Sequence, residues 1–419
     1  MTVLRRIFRS VLIILISLAL ITGSGTLKLT LIEEQAKTHL YSLIQWEMEN
    51  FMDKWFYRAK LLLPNNSSSE RDNKALVLEY FRLGEEQHKL EGLIQRDIDS
   101  KGGLGTLSET RQESLRQVVN IRGAMRDKVE EVAEGVMDSV IDSEGLYWGG
   151  LPKFIGIHFP PVDFRLEASP RVLVVSPRDH IEMIDGILLE PSITIEEIET
   201  LEKLIQDEDE GISVLVEGTA GVATYPAIIS PSSSLKSILV TAAHEWLHHY
   251  LFFRPLGRTY GRDSQMTTIN ETSANIFGQE IGDIVFQHFQ QKTIPREIGT
   301  GNSLPHAQYQ FDFMMEMRKT RIRAEELLGE GSVEEAEQYM ERRRQFLWDN
   351  GYLIRKLNQA YFAFHGSYAD SPGSISPIFE QLSSLRASSP SLGHFIRQVA
   401  SISSYREFLD LLDTTKRVQ

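Results

Sequence analysis

Apolar side chains recur at spacings of three and four from Leu29 to about Val140, as at Leu40, Leu43, Ile44, Met48 and Phe51, and this period predicts helices through the whole stretch. A Pro-Asn-Asn-Ser-Ser-Ser loop from Pro64 to Ser69 and a glycine-bearing break from Lys101 to Thr106 divide it. Trp46, Met48, Phe51, Met52, Trp55 and Phe56 are assigned to packing between these helices rather than to a membrane or partner surface. Between Leu146 and Ser230 the pattern changes to prolines, glycines and β-branched runs. Arg171 to Ser176 and Gly186 to Leu189 are strand candidates. Thr194 to Gln206 reads as a helix opened by a capping box of Thr194 and Glu197. Ile212 to Val216 alternates weakly, Gly218 to Gly221 predicts a turn, and Pro226 makes the run Val222 to Ser230 an edge strand. From Leu235 the helical period returns to the end, with loops at Arg254 to Arg262, Ile298 to Pro305 and Ser367 to Ser376. The expected fold is α+β, mostly α-helical, with a small mixed sheet.

The N-terminus adds a membrane element. Arg5, Arg6 and Arg9 precede an uncharged stretch from Ser10 to Leu27. Its length sits at the lower limit for crossing about 30 Å of hydrocarbon, and the basic flank stays in the cytoplasm. No Ala-x-Ala pattern follows, which favours an uncleaved signal-anchor over a cleaved signal. The expected order is a cytoplasmic tip and transmembrane anchor over 1–28, a helical stalk over 29–145, a core region over 146–295 and a helical C-terminal region over 296–419. Everything beyond the single span is then extracytoplasmic.

Charge and cysteine content narrow the chemistry. A net charge of −14 gives no basic surface for phosphates, so nucleic acid is excluded as a partner. With no cysteine in the chain, disulfides, thiolate metal sites and cysteine nucleophiles are excluded, and any metal must sit on His, Asp or Glu.

One segment offers such ligands. In Ile238-Leu-Val-Thr-Ala-Ala-His244-Glu245-Trp-Leu-His248-His249-Tyr250, a helix places His244 and His248 on one face, where both imidazoles reach one ion. Glu245 points to the same opening but is displaced from the ion, so it can take a proton from water without being a ligand. His249 faces about 100° away from His248 and is left to a supporting or surface role. A zinc site of this kind needs a third protein ligand. Glu271, 23 residues after His248 in Asn270-Glu-Thr-Ser-Ala-Asn275, lies at a distance that suits a helix-loop-helix return, and Glu280 on the same helix is the runner-up.

The His-Glu-x-x-His helix followed by the Asn270-Glu271 pair resembles the gluzincin branch of zincin metallopeptidases, the thermolysin-like group. That resemblance implies Zn2+ held by His244, His248 and Glu271, with Glu245 as general base, in a zincin-like catalytic core. In the family pattern an aspartate four residues after the ligand glutamate buttresses a histidine; here Asn275 stands there and is expected to accept an imidazole N–H. Zincins also bind an extended substrate on an exposed strand ahead of the metal helix, which Val222 to Ile229 would supply. A second resemblance rests on Arg318-Lys-Thr-Arg-Ile-Arg323-Ala-Glu-Glu, Leu357-Asn358-Gln-Ala-Tyr-Phe-Ala-Phe-His365-Gly-Ser-Tyr368 and Pro377-Ile-Phe379, which look like predicted bacterial membrane-associated aminopeptidases. It implies that Tyr368 or His365 stabilises the oxyanion of peptide hydrolysis, that the substrate is a peptide or protein, and that the enzyme is an aminopeptidase. Two other readings stay open from sequence: a membrane-tethered helical interaction protein with a structural or degenerate metal site, and a zinc hydrolase of non-peptide bonds.

Overall fold

The computed structural model describes residues 31–50, 69–101, 106–147, 158–231, 234–290 and 311–418. The predicted membrane segment Ser10 to Leu27, the aromatic residues Phe51 to Phe56 and the loop Ile298 to Pro305 lie outside them. Among the described residues no helix is long and apolar enough to cross a membrane.

The protein is α+β and mostly helical. Its helices are α1 (Leu31–Ala36), α2 (Glu70–Lys101), α3 (Thr106–Ser143), α4 (Ile195–Glu208), α5 (Leu235–Phe252), α6 (Pro255–Arg258), α7 (Ser264–Gln290), α8 (Phe313–Gly329), α9 (Val333–Asp349), α10 (Gln359–Gly366), α11 (Ile378–Ser388), α12 (Leu392–Ala400) and α13 (Tyr405–Val418). The strands are β1 (Phe164–Leu166), β2 (Arg171–Pro177), β3 (Asp185–Leu189), β4 (Ile212–Gly218), β5 (Gly221–Val222) and β6 (Ala227–Ile229). They form two sheets: an antiparallel one in the order β3-β2-β4, and a mixed one in the order β1-β6-β5, with β1 parallel and β5 antiparallel to β6.

The antiparallel sheet is covered on both faces, which is why β2 reads as an unbroken apolar run. Leu173, Val175, Val214 and Val216 meet Ile198, Leu201 and Ile205 of α4, while the alternate residues Val172, Val174 and Leu215 meet Ala360 and Phe364 of α10. Helix α4 opens on the predicted capping box: Thr194 accepts from the Glu197 N–H, and Glu197 accepts from the Thr194 N–H. The run Val222 to Ser230 departs from expectation. It is not one edge strand but folds back on itself, so that Gly221 pairs with Ile229 and Val222 with Ile228. Pro226, lacking an N–H, sits in the turn between the two arms. Ala227 to Ile229 becomes the buried central strand, and only Gly221 and Val222 form the edge.

Both flanks of the central region pack into its core. Val129, Ala133, Met137 and Ile141 of α3 join the main apolar cluster together with Leu382 and Leu385 of α11 and Phe395 and Ile396 of α12. Buried Glu130 and Glu134 of α3 accept the backbone N–H groups of Leu166 and Phe164 at 2.7 and 3.0 Å, fixing β1 at the open side of its sheet. Trp46 is buried and its indole donates to Glu167 at 3.3 Å, whereas Met48 is exposed.

The site depends on how α5 and α7 meet. Helix α5 is buried almost all round, with Leu239, Ala243, Trp246 and Leu247 at most 2% exposed, and Ser234 caps it by accepting the Ser237 N–H. Helix α7 crosses it at Gly278 and Gly282, one turn apart. A Cβ on Gly278 would lie 2.7 Å from the Val240 carbonyl oxygen and 3.1 Å from His244 Cβ, and one on Gly282 would lie 2.7 Å from Val240 Cα. Backbone cannot yield as a flexible side chain can. Gly278→Ala is therefore expected to destabilise the fold by about 1–3 kcal/mol through overpacking as α7 is pushed off Val240 and His244; denaturant titration against the wild type checks it.

Candidate metal centre

His244 and His248 stand one turn apart on α5 with their Nε2 atoms 3.0 Å apart. Glu271, in the second turn of α7, brings Oε2 to 3.4 Å from His244 Nε2 and 3.5 Å from His248 Nε2. Those separations are long for hydrogen bonds, and Glu271 Oε2 is buried with no hydrogen-bond partner. Two ligand atoms each about 2.0 Å from a tetrahedral ion stand about 3.3 Å apart, so the three atoms fit one zinc ion. A second carboxylate, Glu245, also comes within 4.8 Å of both imidazoles. Glu271 is the better ligand, because it offers an orphaned oxygen to both imidazoles, while Glu245 lies back against the edge strand, where a Cβ on Gly221 would fall 2.7 Å from its Oε1.

The remaining hydrogen bonds orient this set. Asn270 Oδ1 stands 3.0 Å from His248 Nδ1; as an acceptor it holds the proton on Nδ1 and leaves Nε2 free for a metal. The Tyr260 hydroxyl donates to Glu271 Oε1 at 2.5 Å, which turns Oε2 toward the histidines. Glu280, the alternative ligand, is excluded by geometry: nine residues on, it faces the opposite side of α7 and pairs with Arg386 at 2.7 and 2.8 Å.

Comparison with known protein families, with characterised proteins and with solved structures finds no match.

Asn275 and the two oxyanion candidates are placed differently from one another. Asn275 donates Nδ2 to both oxygens of Asp370 at 2.8 and 3.1 Å, and Thr272 accepts the Ala369 N–H at 3.0 Å. These bonds tie the loop carrying Tyr368 to α7; the imidazole partner that the structure shows is Asn270. The Tyr368 ring lies 6.4 Å from that of His244 and lines the same cleft as Glu245. His365 does not line this cleft. It sits at the end of α10 over the antiparallel sheet, 3.8 Å from Glu217 and against Tyr361. His249, buried beside the motif, donates Nε2–H to the Thr224 carbonyl at 2.8 Å and so fastens the β5–β6 turn to the metal helix. Neither Tyr260 nor this role of His249 has a local sequence signal; both depend on distant partners.

Burial shapes the electrostatics. The cleft desolvates Glu245 and raises its carboxyl above the ordinary value, against the pull of His244 and His248. Burial lowers His249 to about 4, keeping it neutral. For His248 burial also acts downward, but the Glu271 carboxylate beside it outweighs that and lifts it to about 9. Burial alone would raise Glu271, yet the two imidazoles hold it well below the usual carboxylate range. Without metal, His248 thus carries a proton at neutral pH, and the pair's contribution to stability is present below about 6.5 and lost as pH rises through 9. A metal ion taken up on Nε2 would have to displace that proton. If the site takes up a divalent metal ion, its affinity is expected to rise about tenfold per pH unit between pH 7 and 8.5, with one proton released per ion. Chelator competition across this range, together with calorimetry in buffers of different ionisation enthalpy, checks it; a flat profile would mean that His248 is already unprotonated there and that Glu271 does not hold a proton on it.

Proposed function

We propose that this protein is a zinc-dependent metallopeptidase, with the metal held by His244, His248 and Glu271. What supports the reading is the convergence of two imidazole nitrogens and one orphaned carboxylate oxygen at the floor of an open cleft that Glu245 also lines. A structural zinc site is closed by four protein ligands, whereas this one offers three and faces a cavity, which favours catalysis over a degenerate or structural site in an interaction protein. Zinc bound there would acidify a coordinated water and polarise the substrate carbonyl. Glu245, its basicity strengthened by burial, takes a proton from the attacking water and hands it to the departing amine as the C–N bond breaks. Tyr368, tethered through Asp370 and Ala369, donates its hydroxyl to the oxyanion that develops on the carbonyl oxygen. Tyr260 and Asn270 hold Glu271 and His248 in register.

The edge strand favours peptides over other hydrolysable bonds. Gly221, Val222 and Ala223 line the cleft, with Gly221 packed against Glu245, and an exposed strand edge recognises the main chain of an extended peptide. The edge available is this short one, not the full run to Ile229. We further propose that the enzyme is anchored by its N-terminal segment with the catalytic region outside the cytoplasm, on the sequence grounds given above. Stripping the metal with a chelator is expected to abolish hydrolysis of an unfolded protein substrate, and zinc to restore it. Activity that survives full metal removal would overturn the reading.

A further inference from the structure

The mixed sheet beside the cleft is too small to hold itself. Its strands β1, β5 and β6 have three, two and three residues, against about five or six in an ordinary strand, so backbone N–H groups that the ladder leaves over must be met from outside it. Buried carboxylates from the chain ahead of the sheet meet three of them. Glu130 and Glu134 of α3 accept from Leu166 and Phe164, and Glu47, 7% exposed, accepts the Tyr225 N–H at 3.3 Å across 178 residues of sequence. Of the three donors, Tyr225 belongs to a residue that lines the metal cleft. It sits in the turn between β5 and β6, and His249 of the metal helix holds the preceding residue by the Thr224 carbonyl. The turn is thus held at successive residues by α5 and by the N-terminal stretch. At the other end of β5, Gly221 packs against Glu245.

Residues 39–50 reach this turn as a strap. Leu40 bridges Leu189, the Tyr41 N–H donates to the Leu188 carbonyl at 2.9 Å and the Glu190 N–H to the His39 carbonyl at 2.8 Å, which extends the antiparallel sheet at its β3 edge. A helical turn pair over 43–50 then crosses to the mixed sheet, where the Trp46 indole donates to Glu167, the residue after β1, and Glu47 meets Tyr225. The usual polarity of such a helix is inverted: Glu47 and Asn50 face in, while Ile44 and Met48 are 46% and 65% exposed. Burying a carboxylate costs free energy that an apolar side chain would not lose. Burial raises the Glu47 carboxyl and the Tyr225 N–H draws it back. A directed bond to the turn accounts for a carboxylate here, and packing does not.

We propose that residues 39–50 belong to the substrate-binding apparatus, as a strap whose Glu47 holds the β5–β6 turn and with it the edge on which the peptide main chain lies. Glu47 is a positioning residue that acts through Tyr225. The proposal goes beyond the peptidase reading and takes from it the β5 substrate edge. A chain lying on that edge keeps its main-chain bonds in the ground state and the transition state alike, so a slack edge raises KM and leaves kcat.

The test uses the zinc-loaded full chain and casein, an unfolded substrate. Glu47→Ala is expected to raise KM about tenfold, the cost of leaving the Tyr225 N–H without its acceptor, with kcat within about twofold of the wild type. Glu47→Gln, whose amide oxygen still accepts that N–H, is expected to bring KM back to within about twofold. Trp46→Phe keeps the ring but removes the donor to Glu167, and is expected to raise KM about threefold; it carries the test if Glu47→Ala does not fold, and an unchanged KM there overturns the proposal. Binding is read separately from hydrolysis by fluorescence anisotropy of labelled casein on Glu245→Gln, with and without Glu47→Ala, where the second substitution should weaken binding about tenfold. A lowered melting temperature at unchanged KM and unchanged casein affinity would make Glu47 a structural residue only and overturn the proposal, as would a fall in kcat alone. Casein that binds and depends on Glu47 but is not cleaved by the wild type would support the strap and sink the peptidase reading. Casein that does not bind at all overturns the strap.

Discussion

Glu271→Ala is expected to weaken zinc binding by more than the roughly 10–100-fold that loss of an orienting partner costs. Removing Glu271 takes away the carboxylate nearest to both imidazoles, at 3.4 and 3.5 Å, and leaves two neutral ligands with only Glu245 near them in a buried site. Glu271→Gln separates charge from shape, since the amide can still accept from Tyr260 while offering the ion a weaker donor. Glu280→Ala is the control on the same helix: its carboxylate is held by Arg386, so metal content should stay near that of the wild type even though the ion pair is lost. Asn270→Ala should fall between, because it frees the His248 ring without removing a ligand. Zinc stoichiometry and chelator competition for the four variants, with folding checked by circular dichroism, decide the assignment. Full zinc occupancy in Glu271→Ala would mean that the ion is held elsewhere.

Glu245→Gln should retain zinc and lose hydrolysis by about 10²–10⁴-fold, the range that a positioned general base contributes. The amide fits the same space, which matters because Gly221 leaves almost none to spare: a Cβ there would already meet Glu245 Oε1 at 2.7 Å. Gly221→Ala offers a second route to the same step, since it should displace the carboxylate without changing its chemistry and so lower kcat while zinc stays bound. Loss of metal in Glu245→Gln would make Glu245 a ligand, and near-normal turnover would assign the proton transfer to another group.

The parts of this protein legible in its sequence are those fixed by local periodicity. The spacing of His244 and His248 is one helical turn, so their common face follows from 3.6 residues per turn alone. The Thr194–Glu197 capping box, strand Arg171–Pro177 and the mostly helical α+β class follow in the same way from interactions within a few residues. Everything that ranks one candidate over another spans a long separation and was settled by packing. Glu271 and Glu280 sit on one helix, and which of them meets the histidines is set by where Gly278 and Gly282 let α7 approach Val240. Asn270 rather than Asn275 reaches His248, and Tyr260 reaches Glu271, because the α5–α7 connection curls back through α6 over the site. His365 and Tyr368 are only three residues apart, yet the end of α10 lies on the antiparallel sheet while the loop after it is drawn to α7 by Thr272 and Asn275. Pro226 suggested an edge strand, but a missing N–H is satisfied equally well in a turn, and the apolar Ala227–Ile229 run gained more by burial at the centre of its sheet than by exposure at the rim.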